Sequence, residues 1–436
     1  MRRTVAGIAG SAALALVLAA CGGGNGDSET KASADKSVDP ATLKADLTWW
    51  DTSDPTNEAP TFKALIKKFN AEYPNVHINY QSVPFAEAQN KFKTAAAAKK
   101  GTPDILRAEV AWVSDFAAQG YLYQLDGTPL LKDKSDFMST PLSADQYDGK
   151  TYGVPQVTDT LALMYNKKLF AKAGISNPPT TWDEVAADAK LLKSKAKVDG
   201  IYVNSAGYFL LPFMYGEGGD MVDTGAKKIT VNSPENVKGI TAAQKLVKSG
   251  AAVKPAANDP YGTMMTLFKE NKVGMIINGP WEVKNIESAP GFGGFGNLGV
   301  APVPAGSAGA GAPVGGHNYV ISSNMDQSKA DAAIAFVSFM DSAKSQAFVA
   351  DQLGLLPTRQ SAYDLPEVKN NAAVAAFKPA LDAAHARPWI PEGGQFFAAL
   401  DTMATQVMVQ GMDPKKALDA AAKTYKNEVV KDYSLD

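Results

Sequence analysis

The sequence predicts an α/β protein built as two compact bodies, and three observations carry that prediction. At 436 residues the chain is too long for one ordinary hydrophobic core, because domains usually hold about 100 to 200 residues. Its composition, 45% apolar and 20% charged, is that of a soluble globular chain and not of a disordered or many-span one. From residue 46 onward strand-like and helix-like stretches alternate as β-α-β-α-β-α. Such alternation implies a mainly parallel sheet covered by helices, with ligands meeting the carboxyl ends of the strands.

The chain starts with an address. Arg2 and Arg3 precede an apolar run from Val5 to Ala20, the charged and apolar regions of an export signal too short to span a membrane stably. Residues 1–20 are therefore expected to be cleaved, by the general export route, since the residues around the paired arginines match a twin-arginine pattern poorly. Leu18-Ala19-Ala20-Cys21 resembles a bacterial lipobox, so Cys21, the only cysteine, would carry diacylglycerol and become the mature N-terminus. Two acyl chains on one residue anchor stably where one is marginal. Residues 21–45, mostly Gly, Ser, Ala, Asp and Lys, bury too little to recover their ordering entropy and read as a flexible tether.

The folded part opens with "DLTWWD" at 46–51, a strand entering a core. Phe62, Leu65, Ile66 and Phe69 then fall on one helix face, and Pro74-Asn75 stops that helix. "VHINYQSV" alternates as a half-buried strand, "FAEAQNKFKTAAAAKK" is helical, and "PDILRAEV" is a strand followed by the short helix "VSDFAAQG". A second unit starts after "TYGVPQVTDTLALMYN", where Thr181-Trp182-Asp183-Glu184 is a capping-box start for a helix running to about Lys195. "NKVGMIINGPW" is a buried strand meeting a helix, with Pro280 suited to the first helical position. "APVPAGSAGAGAPVGGHNYVIS" is too flexible for a core and leads into a strand at Asn318 to Ser322, which suggests a return to the first body. The last third is helical, with Ala332, Ala333, Phe336, Val337 and Met340 as one buried face and two later runs ending near Val430.

Several chemistries are excluded early. A net charge of −2 with no basic stripe argues against nucleic acid as a partner. One cysteine leaves no intramolecular disulfide and no cysteine-based zinc site, and His77, His317 and His385 lack metal-ligand spacing, so neither a metal nor a cofactor is expected. No phosphate-cradling loop, nucleophile elbow or HExxH helix is present, and "GEGG" at 216–219 is a tight turn with the wrong spacing for a dinucleotide fingerprint. What stands out is a set of aromatic and charged residues at the expected carboxyl ends of strands: Trp50, Asp51, Arg107, Glu109, Trp112, Asp159, Tyr208 and Trp281. Sugars stack their apolar C–H faces on rings and exchange hydroxyl hydrogen bonds with carboxylates, Arg and backbone, so their binding wants this mixture. The same residues also have ordinary uses. Trp50 fits a core and Trp182 a helix-start packing role, Trp112 and Tyr208 suit either, and the charged four could form local salt bridges or caps.

At these residues the chain resembles a family, the sugar-binding lipoproteins of ABC importers, and within it the actinobacterial maltose/maltodextrin-binding proteins. The likeness covers nearly the whole mature chain through "LTWWDTSD", "PFAEAQNKFKTAAAAKKGTPDILRAEVAW", "YDGKTYGVPQVTDTLALMYNKKLF", "YGEGGDMVD", "INGPWE" and "GAPVGGHN", in the family's order. The resemblance implies a two-lobed periplasmic-binding-protein (Venus flytrap) fold with the ligand cleft between lobes. Lobe 1 would be residues 46–157 and 314–362, and lobe 2 residues 160–311 and 365–436. It implies a ligand site made from Asp51, Glu58, Arg107, Glu109, Trp112, Asp159, Tyr208, Trp281, Gly316, His317 and Phe397. Asp159 would take sugar hydroxyls, and Tyr208, Trp281 and Phe397 would stack on glucose units. Against the enteric maltose-binding protein, the first loop, Asp51-Thr52-Ser53, lacks a lysine, Arg107, Glu109 and Trp112 stand in place of Trp-x-x-Asp-Arg, and Ala398 and Asp401 replace a tyrosine and an arginine near the far subsite. The implied function is a monomeric, non-enzymatic, membrane-anchored receptor that hands maltose or maltodextrin to ABC permease subunits. Trehalose or another oligosaccharide as cargo, or a surface glycoside hydrolase with its carboxyl pair across the same cleft, are the alternatives.

Overall fold

The structure, a computed structural model, describes residues 39–435. Cys21, the export segment and most of the expected tether lie outside the described residues. Of the last tether residues, Leu43 is buried in the core and Ala45 already opens the first strand.

The main strands in chain order are β1 Ala45–Asp51, β2 Val76–Ser82, β3 Ile105–Glu109, β4 Gly153–Thr160, β5 Ala162–Asn166, β6 Asp199–Tyr202, β7 Ala252–Val253, β8 Val273–Asn278, β9 Leu298–Ala301, β10 Val314–Ile321 and β11 Leu356–Pro357. They form a six-stranded sheet in the order β11-β4-β10-β3-β1-β2 and a five-stranded sheet in the order β7-β6-β8-β5-β9. The chain passes from the first sheet to the second at Leu161, between β4 and β5, and returns between β9 and β10.

Both sheets are mixed, which corrects the expectation of mainly parallel pairing. β1 pairs β2 and β3 in parallel, and β6 pairs β7 and β8 in parallel. β10 runs antiparallel to β3 and β4, and β5 antiparallel to β8 and β9. The cause is connectivity. β5 and β10 each follow a crossover from the other body and lie inside their sheets, between β8 and β9 and between β4 and β3, running opposite to both neighbours.

The hydrophobic spacing works as local sequence dictates. Helix Ala59–Glu72 buries Phe62, Leu65, Ile66 and Phe69 against Trp49 and Phe336, with Trp49 edge-on to Phe62, Tyr80 and Phe336 at 5.4 to 6.1 Å. Each such side chain contributes about 1.5 to 3 kcal/mol when fully buried. Helix Gln327–Met340 buries Ala332, Ala333, Phe336, Val337 and Met340. At Trp182–Leu191 the Thr181 hydroxyl accepts from the Glu184 amide, and the Glu184 carboxylate reaches back to the Thr180 amide at 2.6 Å. Trp182 is a packing residue, stacked on Phe213 at 3.9 Å. The helices Ala372–Asp382, Phe396–Ala404 and Pro414–Thr424 cover the five-stranded body with Phe377, Phe396, Leu400 and Leu418.

β10 begins at Val314, four residues before the strand expected at Asn318. The glycines that suggested flexibility are instead what lets this strand lie close to β4. A Cβ on Gly315 would sit 2.2 Å from Asp159 Oδ1, and one on Gly316, whose φ is +135°, would sit 2.2 Å from the Val157 carbonyl oxygen.

Candidate functional site

The six-stranded body brings three of the expected polar residues into one buried network. Asp51, at the end of β1, is fully buried. Its carboxylate accepts from the Ser53 amide at 3.1 Å and from the Tyr80 hydroxyl at 2.8 Å. Arg107 in β3, also buried, donates from Nε to Gln156 Oε1 at 2.7 Å, lies 4.0 Å from Asp51 Oδ1 and reaches Glu58 Oε1 at 3.5 Å. Glu58 also accepts from the Asp54 amide at 2.9 Å. Burial pushes the Glu58 carboxyl up and the Arg107 guanidinium opposes this. Sharing the one guanidinium of Arg107, and tied by hydrogen bonds to Ser53, Tyr80, Asp54 and Gln156, Asp51 and Glu58 hold the loop after β1 against β3 and β4.

A second cluster forms where the crossovers meet the ends of β3 and β4. Glu109 closes β3 and accepts from the Ala111 amide at 2.9 Å, which caps the turn Val110–Trp112. Its other oxygen is ion-paired with Arg387 Nη2. Arg387 is held by its own segment. His385 and Val314 tie the chain to the return crossover through the bonds His385 N–H to Ala312 O at 2.7 Å and Val314 N–H to His385 O at 2.8 Å, and Arg387 Nε donates to Val314 O at 2.9 Å. The guanidinium is 5.6 Å from the ring centre of Tyr208, 5.4 Å from Trp389 and 5.6 Å from Phe397. The Tyr208 and Phe397 rings lie 6.1 Å apart, tilted 55° to each other, and the turn bearing Tyr208 is pinned by Asp401, which accepts from the Gly207 amide at 2.7 Å.

Asp159, on β4 opposite Gly315, sits beside the Tyr208 hydroxyl; a Cβ on Gly315 would touch both. Burial pushes its carboxyl up to about 7, against the pull of Arg387, with Glu109 adding to the rise. No hydrogen bond to that carboxyl forms among the described residues. His317 on β10, across from Glu109, has both ring nitrogens buried without a partner, and burial together with Arg107 and Arg387 lowers its basicity so that it is neutral. An imidazole and a carboxyl without hydrogen-bond partners, two strand positions apart on β10 and β4, suit a ligand rich in hydroxyls, each of which both donates and accepts.

The structure thus brings Glu109, Asp159, Tyr208, His317 and Phe397 around Arg387, while Gly316, on β10 between Gly315 and His317, lets that strand lie close to Val157 and Thr158 of β4. Trp112 is buried beside them in the turn after β3, packed on Phe116 at 6.3 Å. Trp50 is a core residue whose indole N–H donates to Gln81 at 3.0 Å. Trp281 stands apart. It lies over Gly279, packs against both apolar cores and donates from Nε1 to the Tyr261 hydroxyl at 2.8 Å, joining Tyr208 by way of Tyr261 and Phe209. Arg387 and Trp389 were missed by sequence reasoning. The available signal was "ARPW" at 386–389, a charged and an aromatic residue flanking a proline in a stretch otherwise read as helical. Hollows of about 320 Å³ near Val283, Glu287 and Asn371, and about 390 Å³ near Asp220, Asp223 and Glu235, lie away from this cluster. Among the described residues no group of three or more His, Cys, Asp or Glu could hold a metal ion, and no helix is long and apolar enough to cross a membrane.

Two α/β bodies joined by crossovers, with a polar and aromatic cluster where the crossovers meet, define a ligand-binding clamp. The chain belongs to the bacterial extracellular solute-binding proteins, whose family profile matches residues 52–347. Among solved structures it is similar to the GacH receptor of Streptomyces glaucescens, known unliganded and in complex with acarbose and an acarbose homolog. The TM-score is 0.86 and the identity 43%, over 90% of this chain and 100% of that one. A putative binding protein of Brucella abortus is 30% identical over 373 residues, 84% of this chain and 89% of its own length. The maltotriose-binding protein of Pyrococcus abyssi is 27% identical over 389 residues, 88% and 81% of the two chains.

Proposed function

We propose that this protein is a lipid-anchored receptor that captures an α-glucosidic oligosaccharide, maltose or a maltodextrin, and delivers it to ABC permease subunits. The observation that carries this is the cluster between the sheets, in which Arg387 and Glu109 form a charged floor under Tyr208, Phe397 and Trp389, with the Asp159 carboxyl and the His317 ring lacking partners. Rings offer faces for sugar C–H groups, and the two partnerless groups offer sites for sugar hydroxyls. The similarity to a maltotriose-binding protein and to a receptor crystallised with acarbose supports the same chemical class. Asp51, Glu58 and Arg107 serve as the positioning layer beneath this cluster, Trp112 lies beside it, Gly316 lets β10 approach β4 behind it, and Trp281, set apart from it, packs between the two bodies.

A binding role also fits the charges better than hydrolysis. A glycosidase needs one free acid and one free base or nucleophile across the bond. Here Glu109 is already engaged by Arg387 and the Ala111 amide. Anchoring rests on Cys21 and its lipobox-like surroundings. A monomer suffices, since closing two lobes of one chain completes the cleft.

Calorimetric titration with maltose, maltotetraose, trehalose and xylose, followed by chromatography of the recovered sugars, tests the proposal. Saturable binding of the maltodextrins, one per protein and returned intact, is expected. Binding of none, or cleaved products in excess of the protein, overturns it.

A further inference from the structure

Phe85 is the one large apolar side chain that stands exposed among the described residues, about half open at 49%. Nothing in the local fold calls for it. It occupies the first position of helix Phe85–Ala98 directly after Pro84, a position that favours proline or an acidic residue and not a bare ring. Yet the ring is held from behind. It lies on Trp112 at 5.2 Å with 30° between planes, Trp112 packs on Phe116, and Phe116 on Phe92 at 4.7 Å. One face is therefore fixed on a buried aromatic pile while the other is open.

The open ring borders the site. It meets His317 edge-on at 5.9 Å, and His317 in turn is paired across the sheet with Glu109, the partner of Arg387. One turn along the same helix face, Gln89 faces the turn Gly393–Gln395 from the second body. A Cβ on Gly394 would lie 3.1 Å from Gln89 Nε2 and 3.4 Å from Trp112 Cδ1. The two bodies thus come together at this rim, and Gly394 is what permits the approach.

We infer that Phe85 is an outer stacking subsite, which makes this receptor select α-glucosidic oligosaccharides of three or more units over disaccharides. This inference rests on the proposed function. A chain with one unit on Tyr208, Phe397 and Arg387 passes over His317, whose unpartnered nitrogens take the hydroxyls of a second unit, before a third lies on the face of Phe85, within reach of the Gln89 amide. The ordering of rings along this path sets length preference at a position on the border of the inner cluster, in contact with His317 and Trp112 and not with Arg387.

Calorimetry of the unaltered protein and of Phe85→Ala and Phe85→Leu with maltose and maltotetraose tests this. Both variants are expected to lose roughly three- to tenfold more affinity for maltotetraose than for maltose, the range one stacked ring commands, and Phe85→Tyr is expected to retain the preference. Phe85→Leu keeps apolar cover over Trp112, so it separates lost stacking from lost packing. Equal losses for both sugars, or no loss, overturn the subsite alone. Failure of the unaltered protein to bind either sugar overturns the proposed function and the subsite with it.

Discussion

Replacing Arg387 with leucine should damage the protein more than any other single change at the cluster. The side chain is nearly buried, ion-paired with Glu109, hydrogen-bonded to Val314 O, and close to Tyr208, Trp389 and Phe397. Leucine restores much of the apolar contact but leaves Glu109 without its cation and removes the charge that favours ionised Asp159. Breaking a buried pair from one side costs about 3 to 5 kcal/mol, and the Glu109 side chain, 15% exposed, recovers some of that by hydration. A loss of about 2 to 4 kcal/mol is the outcome worked from these contacts. Urea unfolding followed in parallel by tryptophan fluorescence and far-UV circular dichroism measures it. The decisive comparison is the double-mutant cycle with Glu109→Gln. Removing the stranded carboxylate should recover about 1 to 3 kcal/mol of the loss. A coupling below about 0.5 kcal/mol would show that the two side chains act independently, and the reasoning from an ion-paired floor would fail.

Two further outcomes are expected. The Asp159 carboxyl, pushed up to about 7 from a usual value near 4, keeps its proton in the folded state while the unfolded chain gives it up. The folded form is then favoured below about pH 4 to 7, and this advantage is lost as pH rises through that window and flat above it; Asp159→Asn should remove that part of the pH dependence, and an unchanged profile in urea melts from pH 4 to 8 would contradict the assignment. Gly316→Ala should destabilise by at least about 1 to 3 kcal/mol, because φ of +135° is closed to alanine and the new Cβ would meet the Val157 carbonyl; a thermal midpoint within 1 °C or so of the parent would show that the two strands can part without cost.

The parts of this molecule legible in the sequence are those governed by neighbours in the chain. The helix face of Phe62, Leu65, Ile66 and Phe69, the Thr181 cap and the buried run Val273–Asn278 follow from spacing and hydrogen-bonding rules that act over a few residues. Strand direction was not legible, because β5 and β10 are reversed by crossovers that depend on where the other body sits. The start of β10 was misplaced for a related reason. Glycines in isolation signal flexibility, whereas Gly315 and Gly316 are small so that β10 can lie against Asp159 and Val157. At the candidate site, sequence offered the aromatic and charged groups with two uses open for the charged four, ligand contact or local salt bridges, and the fold divides them between these. Asp51 and Glu58 share the guanidinium of Arg107, whereas Asp159 and His317 keep groups without a hydrogen-bond partner. Arg387 went unseen because its carboxylate partner lies 278 residues away, and no local pattern marks such a pair.

The most direct test of the central claim is a crystal structure of the protein with maltotetraose. One intact sugar chain lying between the two sheets, with hydroxyls on Asp159 and His317 and a ring face on Tyr208 or Phe397, is the predicted result. Sugar bound instead in the hollow beside Val283, Glu287 and Asn371, with the Arg387 cluster untouched, would contradict it.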